Sequence, residues 1–291
     1  KHLHCIPQAV LPGRISKYTY VTPRYIIGAI NRQDPYPAGS AQEWYAHHEQ
    51  HEMDAMIVGE PRAKVFAHHP GDFKEHNQWT GDLHCRCVQT FCDKNVILAT
   101  YDIRDHGALA NSHVTTGASQ YFYINAYMNR DVMERVEKRG RWMFATLKGV
   151  HIALYGSNGF EWIAEADKSV RRVRPMLPGN DRYELVSDGK KHGVVIEISD
   201  AESSLEQFIE RILSNPVAFD PEEMRLVYTS GGRTLEMQGM ARAVNGASVA
   251  FPYDLFDSPY VQSKTGSNVI RVAGARGTLV YDFNSASVTG Q

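Results

Sequence analysis

Histidine changes its charge near neutral pH, and the stretch HHEQHEMDAMIVGEPRAKVFAHHPG carries His47, His48, His51, His68 and His69. A neutral imidazole ligates zinc or relays a proton, so a pair on neighbouring strands would serve either task. Spacing does not choose between them. The same side chains could equally be hydrogen-bonded residues of a sheet, with neither metal nor chemistry. Cys85 and Cys87 stand two residues apart, so on a strand they would share one face and, with His84, form half of a soft metal site. No complete CxxC pair accompanies them, and buried structural cysteines are the alternative.

The elements that must position these groups read as strand after strand. KYTYVTPRYIIGAI, AKVFAHH, NVILATYDI, QYFYINAYM, RWMFATL, VHIALYG, GVVIEISD, MRLVYTS and RTLEMQG are short and rich in β-branched and aromatic residues, with Gly, Asn, Asp, Ser or Pro between them. SVAFPYD, NVIRVAG and GTLVYDF continue the series. Lys17 to Val21 and Arg271 to Gly274 alternate, which predicts one buried face; Val96 to Ala99 is apolar throughout, which predicts burial on both. The expected fold is all-β: a large antiparallel two-sheet β-sandwich with one short amphipathic helix on the outside of a sheet. That helix is SSLEQFIERILSNP, where Leu205, Phe208, Ile209, Ile212 and Leu213 recur at helical spacing. Ser203 and Glu206 read as its capping box and Pro216 as its stop. DHGALANSHVTTGA, from Asp105 to Ala118, lacks a core pattern and is expected to be an exposed loop. GSNG at Gly156 to Gly159 and SGGR at Ser230 to Arg233 read as hairpin turns.

Length and composition bound the rest. A chain of 291 residues can bury a substantial core. It is 43% hydrophobic and 22% charged, with net charge −2 and no long run of like charges, so neither nucleic acid nor a membrane is an expected partner. No apolar run approaches the roughly 18 residues of a membrane span. The first residues, KHLHCIPQAVLPG, lack the basic start and apolar centre of a signal peptide and read as mid-protein sequence. Residues 1–12 are therefore expected to be a connector from a missing upstream region and residues 13–291 one sandwich domain; localisation stays open. Cys5, Cys85, Cys87 and Cys92 are too few and too clustered for a disulfide framework. GxSxG, P-loop, HExxH and GxGxxG motifs are absent, which leaves serine hydrolases, P-loop enzymes, zincins and Rossmann dehydrogenases without support.

The order of several motifs is similar to that in a known family. Tyr25-Ile26-Ile27-Gly28, Gln50-His51-Glu52-Met53-Asp54-Ala55, Val65-Phe66-Ala67-His68-His69-Pro70, Gln78-Trp79-Thr80-Gly81-Asp82, Arg86-Cys87-Val88-Gln89 and Asn95-Val96-Ile97-Leu98-Ala99 follow one another along the chain. Together with Trp142 to Ala145, Val150 to Tyr155 and the Ile196-Glu197-Ile198 strand, this succession resembles the C-terminal part of heparinase II/III-like polysaccharide lyases. In that group a helical toroid precedes a large antiparallel sandwich. The resemblance implies the sandwich part of a lyase that cleaves an acidic, uronate-containing glycan by β-elimination. Such enzymes remove the C5 proton with a tyrosine or histidine while a side chain neutralises the carboxylate. Much of that machinery belongs to the toroid, for which this chain has no counterpart.

The resemblance also ranks the candidates. His51 and His69 match the family pattern and carry the catalytic expectation with Arg86, whose guanidinium could pair with a uronate carboxylate. A divalent metal, zinc, is the candidate cofactor, with His51, His69 and either Asp82 or His84 as ligands. Trp79, Trp44 and Tyr101 are the candidate sugar-binding residues, since a sugar's C–H face sits well on an aromatic ring. His47, His48 and His68 read as surface groups. The expected partners are an acidic polysaccharide or oligosaccharide, a helical toroid domain, and a second copy of the chain covering sheet edges. Two other readings stand beside the lyase: a non-catalytic carbohydrate-binding or scaffold module, and part of a toroid-bearing glycoside hydrolase. The hydrolase would need paired carboxylates, and none stands out.

Overall fold

Strands leave every second backbone group reaching sideways, so they must pair, and here short connections pair them antiparallel. A computed structural model describes residues 9–11, 15–32, 53–69, 87–105, 118–119, 122–163, 183–249, 255–257, 260–264 and 266–290. Among them the all-β expectation holds, interrupted by the helix Leu205–Ser214. An eight-stranded sheet runs, edge to edge, Ala9–Leu11, Ile15–Val21, Tyr25–Arg32, Met53–Ile57, Lys64–His68, Tyr123–Met128, Glu184–Asp188 and Glu161–Trp162. A six-stranded sheet runs Arg135–Arg139, Trp142–Leu147, Val150–Gly156, Lys191–Ser199, Val96–Asp102 and Val88–Asp93. Ala9–Leu11, within the stretch expected to be a connector, is the outermost strand of the first sheet.

The two sheets share a core. Met53–Ile57 alternates buried with half-buried positions, and its buried set faces the second sheet. Ile27, Ala55, Val65, Ile124 and Leu185 from the first sheet join Ile97, Met143, Ile152, Val194 and Ile196 from the second in one cluster. Each large aliphatic side chain buried there contributes about 1.5–3 kcal/mol. The alternation read in Lys17 to Val21 does not give a one-sided strand: Tyr18, Thr19, Tyr20 and Val21 are all half-buried. The Tyr18 hydroxyl reaches another sheet and accepts from the Lys94 amide at 2.9 Å, and burial pushes its phenol pKa up. In Arg271 to Gly274, Val272 and Ala273 are likewise both half-buried.

A third layer lies beyond the two that the sequence suggested. Val150–Gly156 is buried at every position, and Trp142–Leu147 likewise, so their second face also needs a cover. The helix supplies Phe208 and Ile212, and a five-stranded sheet supplies Leu226, Tyr228 and Leu235, against Leu98, Phe144 and Val195. That sheet runs Val217–Asp220, Arg225–Ser230, Arg233–Gln238, Ala241–Val244 and Ala247–Ser248. Gly193 permits the close approach: a Cβ there would stand 2.7 Å from the Phe219 ring. A second five-stranded sheet, from Leu255–Asp257 to Ser287–Gly290, leaves Phe283 and Val288 exposed.

Polar bonds set the register of this third layer. Glu197, 1% exposed on Lys191–Ser199, accepts from Arg211 of the helix at 2.7 Å and from Ser230 and Tyr228 at 2.7 and 2.6 Å. Arg211 also pairs with Glu202 at 2.5 Å. Every oxygen of the buried carboxylate is thereby satisfied. Elsewhere Arg233 pairs with Asp93 and donates to Asn95, and Arg242 donates to the Thr90 carbonyl at 3.0 Å.

Three local expectations need correction. The helix is capped by Ser204, whose hydroxyl accepts from the Gln207 amide, one residue later than the Ser203–Glu206 box; Glu206 instead pairs with Arg135. Leu213, read as part of the apolar stripe, is 50% exposed, while Leu205, Phe208, Ile209 and Ile212 are buried. Gly156 to Gly159 is a tight turn but not a hairpin, because it carries the chain from the six-stranded to the eight-stranded sheet. Ser230 to Arg233 is a hairpin as expected, with Gly231 and Gly232 both at positive φ. The Asp105 to Ala118 loop has ends that pair in parallel, Arg104–Asp105 with Ala118–Ser119; its interior lies outside the described residues.

Two substitutions test this layering. Glu197→Leu leaves the buried Tyr228 and Ser230 hydroxyls without their acceptor and Arg211 with Glu202 alone, and should lower unfolding free energy by about 1–3 kcal/mol in a denaturant titration. Gly193→Val should cost about 1–3 kcal/mol by wedging Phe219 away, with a blue-shifted or broadened melt as the cover loosens. Wild-type stability in either variant would mean that the third layer does not depend on these contacts.

Candidate functional site

Alternation sorts the eight-stranded sheet into a core face and a far face. On Tyr123–Met128, Ile124, Ala126 and Met128 belong to the inter-sheet core, so Tyr123, Asn125 and Tyr127 point the other way. Antiparallel register then sets His68 directly across from Asn125 and Phe66 across from Tyr127. On the other side Val186 faces Asn125 and Glu184 faces Tyr127. One sheet face therefore gathers an imidazole, a phenol, a carboxylate and a carboxamide on three adjacent strands. His68, Asn125 and Glu184 are 1%, 0% and 2% exposed, and Tyr123 is 6%.

Contacts hold the face in shape. The Phe66 and Tyr127 rings stack at 5.3 Å with planes 3° apart, and the Lys64 ammonium stands 5.3 Å from the Phe66 centroid. Asn129 donates to the Tyr127 hydroxyl at 3.2 Å. His68 Nδ1 lies 3.2 Å from the His69 carbonyl oxygen. Asn125 Nδ2 donates to the Leu185 carbonyl at 3.3 Å.

The expected residues fall in different places. His69 follows the strand Lys64–His68 and is fully buried beside this face. Tyr101, expected to line a sugar cleft, lies fully buried in the inter-sheet core, its ring edge toward His192 at 6.5 Å between centroids. His51, Arg86, Trp44, Trp79, Asp82 and His84 lie outside the described residues, as do His47 and His48. Among the described residues no group of three or more His, Cys, Asp or Glu converges as a metal site. Cys87 and Cys92 are buried, and burial pushes the Cys92 thiol up. His68, expected at the surface, is buried: its strand lies in the middle of the sheet and both of its faces are covered.

Sequence reasoning missed three of these groups and a second histidine. Asn125 interrupts the apolar run Tyr123 to Met128, a polar residue mid-strand that could have been singled out; nothing marked Tyr123 or Glu184. The second histidine, His192, bridges the two sheets. Its Nε2 donates to the Gly189 carbonyl at 2.7 Å, while Nδ1 lies 3.3 Å from Asn158 Nδ2 and 3.4 Å from Ser187 Oγ. Asn158, on the crossing turn, also donates to the Asp188 and Lys191 carbonyls. Burial holds His192 at a pKa of about 4, against the Gly189 bond and the Asp188 charge. It is a fully bonded structural clamp.

No known family model matches the chain, and no curated protein matches it significantly.

The His192 clamp gives stability a pH dependence. Its folded pKa lies below the ordinary 6.5, so between pH 6.5 and about 4 the unfolded chain binds the extra proton. Stability should be flat above that window and fall through it, by about 3 kcal/mol from this group. Denaturant titrations at neutral pH and at the acid end of the window, with His192→Gln, check it. The variant should show a shallower slope.

Proposed function

We propose that this chain is the β-sandwich part of a heparinase II/III-like polysaccharide lyase whose ligand is an acidic, uronate-containing glycan, with the polar groups buried on the far face of the eight-stranded sheet as its candidate machinery. The observation that carries the reading is the burial of His68, Tyr123, Asn125 and Glu184 together on that face. Burying polar side chains costs stability, so a fold that concentrates them on one face has a use for them. The resemblance in motif order supports the same reading and supplies the glycan class.

In β-elimination a base takes the C5 proton, a double bond forms between C4 and C5, and the C4–O bond breaks as the leaving oxygen gains a proton. An imidazole and a phenol are the groups able to take and return such protons, which makes His68 and Tyr123 the candidates on this wall. Lys64 brings the cation that suits a carboxylate. His69, beside them, keeps the role that the family pattern suggests. The opposite wall would come from a helical toroid.

Titration calorimetry of the chain with heparin, chondroitin and alginate oligosaccharides tests binding, and ultraviolet absorbance of unsaturated uronate, with a toroid half supplied, tests elimination. Binding of at least one acidic glycan is expected, with His68→Ala and Tyr123→Phe each lowering elimination more than tenfold. Binding with no elimination would favour a carbohydrate-binding module. Indifference to every acidic glycan would overturn the proposal.

A further inference from the structure

We propose that the last five-stranded sheet is the surface through which two copies of this chain associate, the apolar face of one laid on the same face of its two-fold mate; this stands apart from the glycan reading. The sheet runs Leu255–Asp257, Val261–Lys264, Val269–Gly274, Gly277–Asp282 and Ser287–Gly290. Residues directly across an antiparallel pair share a face, and alternation fixes the rest. Val272 stands across from Leu279, and Ile270 across from Tyr281, which stands across from Val288. These five apolar residues therefore share one side. Arg271, Val280 and Thr289 stand in line on the other, with Asp282 two residues beyond Val280. Gln262 pairs with Arg271, so Lys264 belongs to that side too. Between Val261 and Gly290 every charged residue of the strands thus lies opposite the apolar row.

A sheet with one apolar face must lay it on another layer. The eight-stranded sheet does so, with Ile27 and Ala55 at 0% exposure. In the last sheet, by contrast, none of the described residues 260–290 is buried. Leu279 and Val288 are 44% and 60% exposed, and Phe283, just past the fourth strand, is 64% exposed. Charge and area together select a second copy as the cover. An uncharged face gives an anionic or cationic partner nothing to pair with, but a two-fold axis lays two such faces together without bringing like charges into contact. Stacked sheets then sit about 10 Å apart with their side chains interleaved. Five strands about 4.8 Å apart and roughly 15–20 Å long make a face whose pairing hides about 700–1,000 Å² in all, at the lower limit of specific interfaces. Such a contact is weak, so the dimer should form only as the concentration rises into the range of roughly tens of micromolar.

Sedimentation velocity of the whole chain from about 1 to about 300 μM tests this, with circular dichroism to verify the fold of each variant. Leu279→Lys with Val288→Lys sets charges on the apolar face at side chains already exposed to water, and Thr289→Lys sets one on the opposite face of the same edge strand. Wild type and Thr289→Lys are expected to pass from monomer to dimer across the range, while the double variant stays monomeric, its association at least about tenfold weaker. Val288→Lys alone, the milder change, should weaken association at least about threefold, and stands in for the double variant if that one loses its strand signal. Wild type that remains monomeric at the highest concentration would overturn the proposal and leave the face to a different partner. Dimerisation of the charged-face variants at wild-type strength would overturn it as well. Equal loss of the dimer in Thr289→Lys would do the same, because association would then run through the edge strand rather than the face.

Discussion

The six-stranded sheet is apolar on both faces, and both must be kept from water at once. Its inner face packs on the eight-stranded sheet through Ile97, Ile152 and Ile196. Its outer face, with Leu98, Phe144 and Val195, would be an exposed patch without the helix and the small sheet that follow it in the chain. The order of elements along the chain follows from that need: strands of the sandwich come first, and the cover comes after Lys191–Ser199 has completed the sheet it must shield. Glycine at 193 is part of the same solution, because only a residue without a Cβ lets Phe219 settle on the strand.

Polar groups inside this structure fall into two kinds. Glu197 and His192 are satisfied on every side, and each fixes how one layer sits on the next: Glu197 holds the cover, and His192 holds the crossing between sheets. A buried carboxylate that lost its three donors, or an imidazole forced to carry a proton, would undo the register it sets. The far face of the eight-stranded sheet is different. There His68, Tyr123, Asn125 and Glu184 are gathered away from the inter-sheet core, and the Asn125 oxygen has no donor among the described residues. Interiors that serve only stability fill such positions with valine or isoleucine, as the core face of the same strands does with Val65 and Ile124. The contrast between the two faces of one sheet supports placing function on the far one.

Some of this was legible in the residues. Periods of two, turn residues between short runs, and the double-sided apolar run at Val96 to Ala99 were enough for an all-β antiparallel fold, because side-chain alternation is a local property of a strand. The helix was readable from the spacing of Leu205, Phe208, Ile209 and Ile212, while its cap fell one residue away from the box the sequence offered, since Ser203 and Ser204 compete for the same role and Arg135 draws Glu206 off. The candidate site was less legible. Histidine crowding drew the eye to His68 and its neighbours, but gave His68 to the surface.

What only the tertiary structure decided is which strands lie side by side and which faces are covered. Asn125, His68 and Glu184 stand far apart in the sequence, and long-range register alone sets them on one face. The same holds for the turn at Gly156 to Gly159, whose glycines and Asn announce a reversal but not whether the next strand returns to its own sheet or crosses to another. Local sequence sets the conformation of each strand; the choice of partner is made by burial summed over the whole chain, and no short window contains that sum.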